Sequence, residues 1–471
     1  MDEKRKRLEK FKTGVIVVLF FSTILLLYLS WHREDGRTFR LDSLLSFMSE
    51  DVRVPRAEEF LVPQAVYAGF GDGTFCVPDA DPSELAQSML SAFAKECEDA
   101  VITISEVTED QYREMLTEYA SLRVCYSCAI PAGELLERQG TGVLPGIEQV
   151  GQISGLILTE AALDSLFAEG GGRCWRLESD GDGDFVHPVL EGLSRLEPVL
   201  YTAQSMLGGT SMALLSLSAA ESLAENEFQT EGAAGWEESC EEMAESIFGS
   251  NFDFVRRITD SFGNLTFMYG YGEKTLNCLA EGTFEYRTEA SEGADPGFFA
   301  SLEAAAAFAA RCGGWGEDRQ GIGYVLGGAS QTGAGRSKVY SFDFLQVVDG
   351  VRVYTEDGGA IQLRVQGGEV IYYRRSDIRG EAAYQKSKPA AEIANVLAGN
   401  CHFIHSVASG SVLAQSSDEE FSYVADNFRQ ALAGYVRGAD SLQPAWIITM
   451  EGGSRFFFDL YDASPLGFTR Q

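Results

Sequence analysis

The chain has 471 residues, and its 45% hydrophobic and 11% aromatic content is that of a folded protein with room for two to four domains. The formal net charge is −33; the first 31 residues contribute +3, so the rest carries −36. A surface that acidic repels phosphate backbones and anionic headgroups, which makes nucleic acid a very poor candidate partner.

Taken in order, the chain opens with six basic residues, Lys4, Arg5, Lys6, Arg7, Lys10 and Lys12. An 18-residue stretch without charge follows at 14–31. As a helix it would measure roughly 27 Å, close to one hydrocarbon core. The basic cluster places the N-terminus in the cytoplasm, and Tyr28 and Trp31 fall where ring side chains favour the headgroup layer. The apolar run is long and lacks a small-x-small cleavage site, so an uncleaved anchor is expected, with Gly14, Val18, Phe21, Leu25, Tyr28 and Trp31 as anchor residues. Ser22 and Thr23 sit mid-span, where hydroxyls bond their own backbone or a partner helix. Residues 1–13 are then a cytoplasmic tail, 32–56 a charged tether with a short helix at 41–48, and all that follows is extracytoplasmic.

A first α+β domain is expected over 57–247. Strands at 62–70 and 73–77 read as a hairpin around Gly71-Asp72. Asp81-Pro82-Ser83-Glu84 is a helix start, followed by an apolar stripe of Leu85, Ala86, Met89, Leu90 and Phe93. A strand is expected at 100–105. Thr108 to Gln111 is a capping box opening a helix through Leu116. A strand at 122–130 carries Cys125 and Cys128 on opposite faces, which does not suit a redox pair. Thr159 opens a further expected helix that stops at the glycines 170–172. Strands at 174–177 and 185–189 flank an aspartate-rich turn, and an acidic helix over 228–247 closes the domain.

From Asn251 the texture turns to strands. Leu265, Phe267, Tyr269 and Tyr271 alternate; 275–279 and 283–287 follow with short turns, as a meander. Asp295-Pro296 starts a helix over 297–311, stopped by Gly313-Gly314. Tyr340, Phe342 and Phe344 begin a second meander with strands at 350–354, 361–365 and 369–374. This middle domain spans 248–379. The C-terminal domain, 380–471, is expected to hold a helix at 388–397 and strands at 403–408, 428–435, 444–450 and 455–461.

The chemical motifs are sparse. Asp180, Asp182, Asp184 and Glu191 have the 1, 3, 5 and 12 spacing of a calcium loop, but Phe185 replaces the turn glycine, so the stretch reads as a polar turn. His402 and His405 beside Cys401 would face opposite ways on a strand, so no metal site is expected. Nine cysteines, an odd number, read as buried free thiols. Asn264-Leu-Thr266 matches a glycosylation sequon inside a strand pattern. No hydrolase, P-loop or metalloprotease signature is present, and no catalytic, cofactor-binding or metal residue is assigned.

In this order the pieces resemble the YycH family. The resemblance rests on 265–272 with 282–286, on 340–345 with 350–353, 360–365 and 370–374, and on the ending Leu442-Gln-Pro-Ala-Trp446 with 455–461, which is similar to a tail shared by YycH, YycI and PepSY-like domains. It implies an α+β fold: one transmembrane helix, a mixed α/β domain and two YycI/PepSY-like units of antiparallel meander with packed helices. It also implies a non-enzymatic accessory protein, without cofactor, that contacts a WalK/YycG-type sensor histidine kinase and a YycI-like protein and so modulates a cell-wall-related two-component system. The alternative is an envelope module that holds a ligand or a peptidase without any kinase.

Overall fold

The alternation read in the middle of the chain folds into strands whose inner row is apolar across seven neighbours. Phe267, Leu276, Tyr286, Tyr373, Leu363, Phe342 and Ala329 stand side by side, with Arg257 at the end of the row. The computed structural model describes residues 53–98, 100–181, 184–191, 200–216, 223, 226–228, 235–289, 293–315, 321–376, 382–384, 389–410, 416–438 and 441–469. The expected anchor residues, the tether through residue 52 and its helix lie outside the described residues. Among the described residues no helix is long and apolar enough to cross a membrane. Residues 54–471 form one compact unit.

Among the described residues there are ten α-helices: α1 Ala57–Phe60, α2 Pro82–Glu96, α3 Glu109–Thr117, α4 Ala132–Arg138, α5 His187–Leu190, α6 Ala203–Leu207, α7 Trp236–Phe248, α8 Phe298–Arg311, α9 Ile393–Ser409 and α10 Ser417–Asn427. The first sheet holds β1 Ala65–Phe70, β2 Thr74–Cys76, β3 Ile102–Val107, β4 Ala120–Pro131, β5 Gln152–Thr159, β6 Ser165–Gly170, β7 Arg173–Ser179, β8 Leu200–Thr202 and β9 Leu214–Ser216. Its order is β3-β7-β6-β5-β4-β1-β2-β8-β9, antiparallel throughout.

The second sheet holds β10 Asn226–Phe228, β11 Arg256–Thr259, β12 Leu265–Tyr269, β13 Lys274–Leu279, β14 Thr283–Thr288, β15 Ile322–Thr332, β16 Val339–Val348, β17 Val351–Tyr354, β18 Ile361–Gln366, β19 Glu369–Arg375, β20 Ala382–Tyr384, β21 Phe428–Arg437, β22 Ser441–Met450, β23 Arg455–Asp459 and β24 Pro465–Thr469. Its path is β11-β12-β13-β14-β19-β18-β16-β17-β21-β22-β10-β20, with β15 on β16 and the β23–β24 hairpin on β22. The fold is therefore α+β with two antiparallel-rich sheets. The two meanders join through β14 and β19, and the parallel pair β17–β21 continues the sheet into the C-terminal strands. β10, from the stretch before Asn251, also pairs in this sheet.

Several helix starts follow the residues that announce them. Asp81 accepts from the Ser83 and Glu84 N–H groups, and Thr108 and Gln111 close a reciprocal capping box. Ala86, Met89, Leu90 and Phe93 of α2 are buried in the main core, which runs from Phe60 through the first sheet to Phe344 of the second.

Four expectations are corrected. The helix expected from Thr159 is a turn and β6. Thr159 Oγ1 accepts from the Ala161 N–H, a local turn bond that resembles a helix cap in sequence. β6 is a central strand buried almost throughout, so it lacks the two-residue alternation. Its terminal glycines form the tight hairpin turn, with Gly171 at φ 60° and Gly172 at φ 76°. The strand expected at 185–189 contains α5, since Asp184 caps the His187 N–H and Pro188 fits a first turn. The strand expected at 403–408 is the second half of α9. Ile393, Val396, Leu397 and Ile404 form its buried stripe, and that tertiary burial overrides the short β-prone run. Tyr271 does not share the alternation of β12; the strand ends at Tyr269 and Tyr271 stands fully exposed on the turn.

Charged side chains tie the first sheet and its helices to the second. Arg352 of β17 donates to Ser127 Oγ at 2.8 Å and to the Val62 and Pro63 carbonyls at 3.1 and 3.0 Å. Glu134 of α4 accepts from the Phe298 and Phe299 N–H groups at 3.0 and 3.1 Å, capping α8 from another element. Arg138 bonds Glu58 and Glu303 and lies 4.6 Å over the Phe299 ring.

Candidate functional site

The surface with the clearest chemical pattern is the outer face of the second sheet. Opposite the apolar inner row, the register lines up Arg256, Met268, Thr275, Arg287, Tyr372, Arg364, Ser341 and Ser330 across eight strands. This row holds three arginines and no carboxylate, in a chain with 70 acidic and 37 basic residues. Arg364 lies 5.1 Å and Arg287 5.6 Å from the Tyr372 ring centre, a cation–aromatic–cation stack. Burial, with Glu285 second, raises the Tyr372 hydroxyl pKa, so the ring stays neutral. In the next row Arg374 pairs with Asp357 at 3.1 Å, and burial raises the Asp343 carboxyl.

The row ends at β11, an edge strand whose four residues are all exposed. Arg257 is held on its other face by Glu237 at 2.9 Å and by Glu241 of α7. Around this edge stand Phe254 at 77%, Phe262 at 83% and Tyr271 fully exposed. Unpaired edge backbone flanked by large rings is a template for strand addition or protein contact, and Tyr and Arg are the residues that most often carry interface energy.

A second cluster lies within the first sheet. Arg123 donates through Nε and Nη2 to Glu169 Oε2 at 3.2 and 3.1 Å, and the Tyr112 hydroxyl donates to Glu169 Oε1. The pair spans β5, and only a glycine between them leaves the path open: a Cβ on Gly155 would stand 2.6 Å from Glu169 Oε2. Burial works to lower the Arg123 pKa, but Glu169 and Tyr112 outweigh it and hold it raised. Burial lifts the Tyr67 hydroxyl and the Cys125 thiol to about 12 and about 11, and raises Tyr112 and Cys174 as well. These groups are fixed and neutral or paired, which fits a structural staple rather than proton traffic.

The residues singled out in sequence are dispersed. Asp180 accepts from the Val101 N–H at 2.7 Å and Asp184 from the His187 N–H, while Asp182 is outside the described residues. His402 and His405 lie three apart on a helix, not on a strand; His402 Nδ1 is 2.7 Å from Glu420 Oε1, and His405 meets the Tyr423 ring edge-on at 4.9 Å. Asn264 is engaged by Asp260 and by the Ala280 N–H. Among the described residues no group of three or more His, Cys, Asp and Glu is placed to hold a metal. Burial pushes the thiols of Cys97, Cys128 and Cys312 to about 11, 12 and 12, so these cysteines are poor nucleophiles. A hollow between α4 and residues 142–147 measures about 40 Å³, far below a small-molecule site.

Sequence reasoning missed the arginine row. The registers of β11 to β14 follow from short hairpins, but the neighbours Arg287 and Tyr372 are far apart in the chain.

Neither a known protein family nor a curated protein matches the chain. Among solved structures it is similar to the crystal structure of an uncharacterized protein from Eubacterium rectale ATCC 33656, at 9% identity over 52% of this chain and 84% of that one, with a TM-score of 0.29. A likeness that slight carries no argument about fold or function.

Proposed function

We propose that the chain is a membrane-anchored extracytoplasmic accessory protein that modulates a sensor histidine kinase of a cell-wall-related two-component system through protein–protein contacts. The reading begins from the charge-free stretch 14–31 behind a basic tail and from the YycH-like order of the strands. The observation that carries it is the β11 edge with its exposed rings, continuous with the carboxylate-free row of Arg256, Arg287, Tyr372 and Arg364. That surface has the composition of a protein-binding face. Modulation requires that the anchor or this face bind two states of the kinase with different free energies.

The experiment is an exchange. Residues 14–31 are replaced by an unrelated apolar helix, and separately Arg287 and Arg364 are changed to Glu. The reading predicts that the helix exchange, the face variant or both abolish control of the kinase's target genes while the protein stays in the membrane. Unchanged signalling in both sinks it. The same exposed edge also suits a second reading, an envelope module that adds an extended peptide or a peptidase segment to β11; it predicts capture of such a partner with no kinase present.

A further inference from the structure

The open edge of the second sheet carries a sequence that complements itself. The Asp260 N–H donates to the Asn264 carbonyl at 3.0 Å and closes the β11–β12 hairpin. Antiparallel bonding alternates from there, so the backbone groups of Ile258 and Arg256 face β12. Those of Arg257 and Thr259 face the open edge, and all four residues of β11 are exposed. Charges on an edge normally discourage a further strand. Here Arg257 is already matched by Glu237 and Glu241 of α7, so its charge does not guard the edge. Asp260 follows Arg256 and Ile258 on the outer face by the two-residue alternation, and it is exposed. The Asn264 side chain, donating at 2.8 Å, holds the Asp260 carboxyl below its ordinary range, so it is charged at neutral pH.

We propose that a second copy of this chain adds to β11 as an antiparallel strand, with the two-fold axis passing through Ile258, so that one sheet runs through both copies. In that register Arg257 of each copy exchanges backbone hydrogen bonds with Thr259 of the other, and these are the groups that a single copy leaves open. Ile258, 44% exposed in one copy, covers Ile258 of the second. Arg256 faces Asp260 of the second copy, once on each side of the axis, an opposite-charge cross-strand pair. Phe254 of one copy and Phe262 of the other, 77% and 83% exposed, come to the same end of the seam. An axis through Arg257 instead sets two arginines face to face and leaves Arg256 opposite Ile258. An axis through Thr259 sets Arg256 opposite Phe262 in the turn. The register through Ile258 alone matches charge with charge and apolar with apolar. It leaves the Arg287–Tyr372–Arg364 stack uncovered, three strands and more from the seam. The inference does not rest on the kinase reading, and a foreign peptide on the same edge is the competing occupant.

The test uses the full chain in detergent, with one cysteine added at a time along the edge and mild oxidation by copper–phenanthroline. The parent, with its nine native cysteines, sets the background. In the proposed register the two Ile258 Cα atoms lie about 4.5 Å apart, within the span of a disulfide. Two Arg256 residues are offset by four positions, roughly 13 Å, beyond that span. Ile258→Cys should therefore link into a dimer at least about tenfold faster than Arg256→Cys. Adding Arg256→Glu to Ile258→Cys should slow linking about tenfold, because like charges then face each other. Adding Arg287→Glu, on the same face but three strands away, should leave it unchanged. The three edge positions are exposed, so these variants keep the fold. No dimer above the parent, equal linking at 256 and 258, or faster linking of Arg257→Cys would each overturn the proposal. Ile258→Cys captured in native membranes on a foreign polypeptide instead of its own copy would do the same.

Discussion

Replacing Glu169 by Gln keeps the volume and an acceptor but removes the charge that Arg123 and Tyr112 share. The ion pair has side-chain exposures of 19% and 13%, so little water reaches the arginine once its partner is gone. Breaking such a pair costs ~3 kcal/mol, the low end of the range for buried pairs because the site is not fully dry. Unfolding entropy near 2.1 cal/mol/K per residue amounts to roughly 0.9 kcal/mol/K over residues 54–471, so the loss lowers the melting temperature by about 3–4 °C. Arg123→Met, which strands the carboxylate, should cost a similar amount. The double variant Arg123→Met with Glu169→Gln should recover most of either loss, because no unpaired charge remains. Calorimetry on the four proteins measures the cycle. Single variants within 1 °C of the parent, or a double variant that falls by the full sum, would refute the claim that this pair is a coupled staple.

Three further outcomes are expected. Gly155→Ala should destabilise by about 2 kcal/mol, because the added Cβ meets Glu169 Oε2 at 2.6 Å and the Val124 carbonyl at 3.2 Å; chemical denaturation reads it, and a neutral result would mean the carboxylate moves freely. Burial opposes ionisation of Asp295, but the Gly297 N–H, Lys338 at 3.1 Å and the Tyr340 hydroxyl at 3.0 Å hold its carboxyl below the ordinary 3.8. Its contribution is therefore present above that value and lost as pH falls through the lower folded one, so Asp295→Asn should cost about 1 kcal/mol at pH 7 and progressively less toward pH 3 in urea melts. Phe262→Ser with Tyr271→Ser should leave stability within about 0.5 kcal/mol, since both rings are exposed, yet reduce partner capture in cross-linking.

Local signals carried the fold well where the chain closes on itself. Asp81 and the Thr108 box define helix starts because their bonds are made within three residues. The inner row from Phe267 to Phe342 shows as alternation because one face is buried and the other wet. Legibility fails where tertiary contacts decide. β6 is covered on both faces, α9 is a helix because α10 and the last strands bury its stripe, and β15 is broken in sequence by Gly323, Gly327 and Gly328, with a bulge between Leu326 and Gly328. Glu134 as the cap of α8, the Arg123–Glu169 pair and the Arg287–Tyr372–Arg364 stack all join residues distant in the chain, so no spacing announces them. Of the candidate surface, Met268, Ser341, Arg364 and Tyr372 lay inside quoted stretches without being singled out, and Tyr271 was expected as a strand residue.

The most direct measurement is site-specific photo-cross-linking in the native membrane, with the reactive residue placed at Leu25, at Tyr271 or at Arg364 of the full chain. If the protein modulates a kinase as proposed, a sensor histidine kinase is captured from at least one of these positions and lost when residues 14–31 are exchanged or Arg287 and Arg364 are reversed in charge. Dense labelling that captures no kinase from any position, or captures only a peptidase or wall enzyme on the β11 edge, would contradict it.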